Sequence, residues 1–450
     1  MYLSKTIKSV LLVITTIITF LLSSSEIFSQ NSVSVSHHST GVHKIHINNS
    51  FMKDFKIEYE GEITLSDDDK DIVAISRGGY IEIKKSSFGK RRRLIIENDG
   101  GKLVRKYFIG WSEKDYYPHG KEWLSDILPD ILRTTTIGAK SRVDRFYKKG
   151  GINAVVSEVS KIKSDFVKSA YLKYILERNL NTNELVAVIN SAGKNINSDH
   201  YLTQILKKNQ KAFLKNDKTV NAYINASKSI DSDHYLTQIV KTVINDNSIS
   251  DNQLGSLLKI SEQVNSDHYL TQILISIMDN RELNKENMNK VMALSNQINS
   301  DHYKTQVLKK ALKNKNLSDN AHNSFISSID DIGSDHYTTN VVNELLKQKL
   351  NNANLSRLLA IVKKNISSDH YATVVFKSLS KKSELKDEQI IEIIEAAGNT
   401  INSSHYLSQT LLNFAPRVKK GSEKLKTTYT RVAKKINSDT YFGRAMKAIY

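Results

Sequence analysis

One nine-residue phrase, Ser-Asp-His-Tyr-Leu-Thr-Gln-Ile-Leu with small variations, begins at Ser164, Ser198, Ser232, Ser266, Ser300, Ser334, Ser368, Ser403 and Ser438. The first six intervals are 34 residues and the last two are 35. A fixed period of that length marks a stacked array, in which each unit buries its apolar face against its neighbours. This feature alone commits two-thirds of the chain to a repeat architecture. The tetratricopeptide class shares the period, but its Trp, Leu-Gly and Tyr signature is missing.

Within one copy, Leu185, Ile189, Ala192 and Ile196 follow helical spacing, and a second helix is expected from Ser198. Serine is a strong N-cap, because its hydroxyl accepts an orphan backbone N–H, and the following Asp199 complements the positive helix end. An Ile or Val lies two residues before every serine, from Ile162 through Val264 to Ile436, and is expected to anchor the turn in the core. The wheel assigns Tyr201, Ile205 and Leu206 to an apolar face and Asp199, His200, Thr203 and Gln204 to the other side.

That second side recurs as a polar stripe: His200, Thr203, Gln204; His234, Thr237, Gln238; His268, Thr271, Gln272; His302, Thr305, Gln306; then His336, His370 and His405. Two readings stand. In one, these side chains hydrogen-bond to the next unit and fix register; in the other, they form a binding face for an extended ligand. Metal binding is not expected, because one histidine per unit, at roughly the 10 Å spacing of packed helices, cannot share an ion. Three consecutive residues at a helix start cannot form a Ser-His-Asp relay either. No H-E-x-x-H, P-loop, dinucleotide-binding glycine pattern or nucleophile elbow occurs, so neither an enzyme nor a cofactor is expected.

Ahead of the repeats, Phe55, Ile57 and Tyr59 alternate with Lys56 and Glu58. Further short runs follow at 63–65, 72–75, 80–83, 94–96 and 103–109, separated by Gly, Asp and Ser. Such punctuation predicts an antiparallel β-domain. Asp67-Asp68-Asp69 with Asp71 matches no calcium loop and reads as a solvated turn. Trp123, Leu124, Ile127, Leu128, Ile131 and Leu132 then mark a helix face that opens a cap for the array.

At the start, Lys5 and Lys8 precede an apolar run from Val10 to Leu22 and the small residues Ser23 to Ser25. This is the pattern of a secretory signal peptide removed near Ser29, with a retained anchor as the alternative. The expected address is therefore extracytoplasmic, periplasmic or secreted. The chain has no cysteine, which removes disulfides, thiol nucleophiles and zinc–thiolate sites. A formal charge of +18 admits anionic polymers as partners, but the lysines are scattered and only Lys90-Arg91-Arg92-Arg93 is dense. An exported chain is not expected to bind nucleic acid.

The order of segments has a likeness. Phe55-Lys56-Ile57 with Gly61-Glu62-Ile63, Asp71 to Ser76 with Gly78-Gly79-Tyr80, Trp123-Leu124, Arg142-Val143 and serial Ser-Asp-x-Tyr repeats follow one another. In this the chain resembles the extracytoplasmic C-terminal region of some bacterial membrane metallopeptidases of the beta-lactam-sensor type, and free-standing secreted relatives. The resemblance implies an exported sensing or interaction module. It does not imply proteolysis, because the zinc motif and the membrane helices of the peptidase members are absent here.

The expected fold class is α+β: a small antiparallel β-domain, then a right-handed, HEAT-like α-solenoid of about nine two-helix units. Expected boundaries are 1–29 signal peptide, 31–111 β-domain, 112–149 linker and helical cap, and 150–450 solenoid. The expected function is a non-catalytic scaffold or sensor-type module binding a protein or peptide along the array, with a membrane sensor as a candidate partner. The alternative is a binder of an anionic or carbohydrate envelope polymer.

Overall fold

Alternation of period two builds the first part of the chain. The computed structural model describes residues 32–37, 42–48, 54–87, 89–245, 249–313 and 319–450, without the side chains of 32–37, 87 and 319–324. The leader segment lies outside the described residues. Among the described residues nine strands form: β1 Ser32–His37, β2 His43–Asn48, β3 Phe55–Glu60, β4 Ile63–Leu65, β5 Ile72–Ile75, β6 Tyr80–Ser87, β7 Lys90–Asp99, β8 Lys102–Ile109 and β9 Ser112–Lys114. Seven make one antiparallel sheet in the order β1-β2-β3-β6-β7-β8-β9, and β4 pairs with β5 in a separate hairpin. The residues Ser112–Lys114, read from sequence as a link, add an edge strand.

Register decides which face is wet. Ile45, Ile57, Ile83, Leu94 and Tyr107 face one another across β2, β3, β6, β7 and β8, and all are buried. Against this row lies the helix Lys121–Thr134, whose Trp123, Leu124, Ile127, Leu128, Ile131 and Leu132 belong to the same buried cluster. The helix Ala139–Lys161 follows, broken at Gly150–Gly151, where Gly151 takes a left-handed φ of +61°.

Two compact units result, one ending at residue 179 and the other running from 180 to 450. The first phrase helix, Asp165–Ile175, belongs to the first unit.

In the second unit a helix starts directly after each remaining phrase serine, as in Asp199–Lys208, Asp233–Ile244, Asp267–Asn280 and Asp301–Ala311. Between them run companion helices such as Thr182–Asn195, Asp217–Ser227, Asp251–Ser261 and Lys285–Asn296. Each phrase helix packs on the next phrase helix, and each companion on the next companion. The anchors before the serines are all buried, from Ile162 and Ile196 through Val264 to Ile436. Close approach is enforced at Gly193, where a Cβ would stand 2.8 Å from the Cα of Ala226 on the neighbouring companion helix.

Candidate functional site

The two kinds of helix start differently. Six companion helices cap themselves: the side chains of Asn181, Asn216, Ser250, Asn284, Asn351 and Ser422 accept backbone N–H groups of their own first turns. Phrase helices do not. No phrase serine makes a side-chain cap hydrogen bond, contrary to the role expected from sequence. Instead the aspartate of one phrase accepts the serine N–H of the next. Asp199 takes Ser232, Asp233 takes Ser266, Asp267 takes Ser300, Asp301 takes Ser334, Asp335 takes Ser368 and Asp369 takes Ser403, at 2.7–2.9 Å. A carboxylate at a helix N-terminus meets both orphan N–H groups and the positive end of the dipole.

The histidines stand on the outside of this junction. His200, His234, His268, His302, His336, His370 and His405 are all exposed. The Nε2 of His200, His234, His268 and His302 lies 2.7 Å from the amide nitrogen of Gln204, Gln238, Gln272 and Gln306 respectively. Nδ1 of His200 lies 3.2 Å from the hydroxyl of Tyr235 in the next phrase, and His234 and Tyr269 repeat the pairing. A neutral ring protonated on Nδ1 satisfies both contacts, donating to the tyrosine oxygen and accepting from the amide. His302 meets Tyr337, and His336 meets Tyr371, in the same way; His405 meets Tyr441.

Each imidazole also packs edge-on against the tyrosine of its own phrase and that of the next. His268, for example, has ring centroids 5.3 Å from Tyr269 and 5.7 Å from Tyr303. Histidine and tyrosine rings therefore alternate without interruption from Tyr201 to Tyr441. The register ladder and the outward polar face, which the sequence offers as alternatives, coexist. Asp and the His–Tyr contacts join the units, while the His rings stay exposed.

Two sequence assignments need correction. Thr203, Thr237, Thr271 and Thr305 are not on the exposed stripe; they are buried, and the hydroxyls of these four and of Thr339 have no hydrogen-bond partner. Leu202 is fully buried in the core position that the wheel gave to Tyr201, which is only half-buried. The phase of the wheel is rotated because a phrase helix is covered from two sides, by its companion and by the next phrase helix. One open groove of about 470 Å³ lies on this face, lined by Lys241, His268, Thr271, Gln272, Tyr303 and Gln306 among others.

The first unit holds a different concentration of charge. Asp69, read from sequence as part of a solvated turn, is 9% exposed and is gripped by Arg142, itself 1% exposed. Arg142 Nη2 donates to Asp69 Oδ2 at 2.7 Å and to Glu158 Oε1 at 2.8 Å, and Nη1 donates to the Tyr171 hydroxyl. Arg145 also donates to Asp69, while Lys149 pairs with the exposed Asp67. The β4–β5 connection is thereby tied to the helix Ala139–Lys161, which supplies arginines 73 and 76 residues away. Every charge in the cluster is answered, so the arrangement positions elements rather than presenting a reactive group.

Among the described residues no group of three or more His, Asp or Glu is placed to hold a metal ion, and no helix is long and apolar enough to cross a membrane. No protein-family model matches the chain, and no curated protein matches it.

Proposed function

We propose that this protein is an exported, non-catalytic scaffold whose phrase helices, stacked as a right-handed α-solenoid of nine units, bind an extended polypeptide along the His–Gln–Tyr face. The observation that carries this reading is the repetition of one polar set, such as His268, Gln272 and Tyr303, at an identical place in successive units. Amide, imidazole and phenol groups offer both donors and acceptors, which suits the alternating N–H and C=O of an extended backbone. Among the described residues of the second unit the exposed large apolar ones are Leu412 and Tyr450, so a groove for an amphipathic helix has little to recommend it.

The test is site-specific photocrosslinking in the producing cell. A photoreactive residue at Gln272 or Gln306 should capture a protein, while the same residue at Glu286 on a companion helix should not. Equal capture at all three positions, or none, refutes the reading. The lysines beside the face, such as Lys241 and Lys207, favour the second reading, an anionic or carbohydrate envelope polymer. Capture of glycan, with binding that collapses as salt is raised, would establish that alternative.

A further inference from the structure

The dense basic run and the most exposed aromatic among the described residues meet at one end of the β-sheet. Trp111 is 94% exposed, whereas the chain's other tryptophan, Trp123, is 5% exposed in the core. Trp111 sits in the two-residue turn between β8 and β9, where Gly110 supplies a left-handed φ of +63°. The Gly110 N–H donates to the carbonyl of Arg91 at 2.8 Å, so the turn is pinned beside the basic strand. Ile109, 42% exposed, pairs with Arg92, and Arg92 pairs with Lys85.

The cations at this end are unequally employed. Arg93 pairs with Glu82 and stacks on Phe108, Arg92 lies over Trp123, and Lys85 lies over Phe55. Lys90 and Arg91 are exposed and have no ion-pair partner among the described residues. The acids nearest this end are Glu113, opposite Phe108, and Asp54, whose carbonyl accepts the Ser86 N–H opposite Arg91 and whose carboxylate lies 3.3 Å from His46.

Register places these groups together. One cross-strand row runs Val33, Ile47, Phe55, Lys85, Arg92, Ile109. Lys90, Ile109 and the turn carrying Trp111 therefore share one end of the sheet. A tryptophan with an amphipathic ring, an exposed isoleucine and unpaired lysine and arginine are the groups that settle at a bilayer interface carrying negative headgroups.

We infer that this end of the sheet is a membrane-surface contact that docks the first unit on an anionic lipid bilayer, with Trp111 and Ile109 entering the headgroup layer and Lys90 and Arg91 meeting lipid phosphate. The contact is separate from the phrase face and does not depend on what that face binds.

Full-length protein would be mixed with phosphatidylglycerol vesicles and, separately, with phosphatidylcholine vesicles. Expected are co-sedimentation with the anionic vesicles only, loss of binding as salt rises, and a blue shift of tryptophan emission with quenching by brominated lipid. Each cation near an anionic surface strengthens binding by roughly fivefold, so K90E/R91E should weaken it by at least about twentyfold. W111S should abolish the emission change; both variants alter exposed side chains, and circular dichroism verifies that they fold.

Three results would each overturn the inference: no preference for anionic vesicles, binding unaltered by both variants, or equal binding to soluble polyphosphate with Trp111 emission unshifted. The last would identify a polyanion site instead of a bilayer contact.

Discussion

If the aspartates join the units, Asp267→Ala should loosen the start of the next phrase helix, and His268→Ala, one residue along, should not. Asp267 accepts the Ser300 N–H at 2.7 Å and the Asn299 N–H at 3.1 Å. A hydrogen bond to a charged group is worth about 1.5–3 kcal/mol where water cannot replace it, and loss of a capping carboxylate costs about 0.5–2 kcal/mol. Asn299 is exposed and regains water; Ser300 is half-buried and regains it only in part. The expected cost is therefore about 1.5 kcal/mol. His268 is exposed and its ring nitrogen contacts Gln272 at the surface, so its removal should stay within about 0.5 kcal/mol.

Repeat arrays lose two-state behaviour as they lengthen, so a local measurement suits better than a global midpoint. Hydrogen exchange read at the Ser300 amide should accelerate about tenfold in Asp267→Ala, since each 1.4 kcal/mol is about a factor of ten, and less than threefold in His268→Ala. The chain contains its own control. In the unit beginning at Ser403 the aspartate is replaced by Ser404, whose hydroxyl accepts only the Asn437 N–H, at 3.2 Å. Ser404→Ala should thus change little, and Ser404→Asp should slow exchange at Ser438. Equal effects of Asp267→Ala and His268→Ala, or no effect of either, would refute the aspartate as the joint.

Arg142→Ala should destabilise the first unit by about 2–3 kcal/mol, because the buried Asp69 and Glu158 lose their shared cation and keep only Arg145 on the one and Arg133 with Lys161 on the other; thermal unfolding of the variant measures it. Thr271→Val should be neutral or stabilise by up to about 1 kcal/mol, since a buried hydroxyl without a partner is exchanged for a methyl of the same shape, and a loss above 1 kcal/mol in urea unfolding would reveal an unseen partner. Burial foremost pushes the hydroxyls of Tyr116 and Tyr171 up to about 12, against about 10 for an unfolded tyrosine. Their contribution is thus complete below about pH 10 and lost as pH rises towards 12, so tyrosinate absorbance and loss of structure should appear together in that window.

The repeat, the alternation of helices and the strands were legible because each rests on a local period. Ile162 to Ile436 recur before every serine, and Phe55 and Ile57 alternate with charge, whatever the rest of the chain does. The candidate site was legible in composition but not in orientation. Tyr201, Leu202 and Thr203 are neighbours on one turn, and only the directions from which a companion and a following phrase helix cover that turn make Leu202 and Thr203 buried. Ser232 looks like a self-sufficient cap, yet its N–H is answered by Asp199, 33 residues earlier. Asp67, Asp68 and Asp69 are alike in sequence, and Arg142 selects Asp69 across 73 residues. Trp111 and Trp123 are likewise indistinguishable as residues, and the β8–β9 turn leaves one in solvent while the helix Lys121–Thr134 carries the other into the core. Sequence determines what repeats within a turn or a strand; a partner a whole unit away is chosen by tertiary packing, because the free energy of burying or pairing a group depends on what the fold brings beside it.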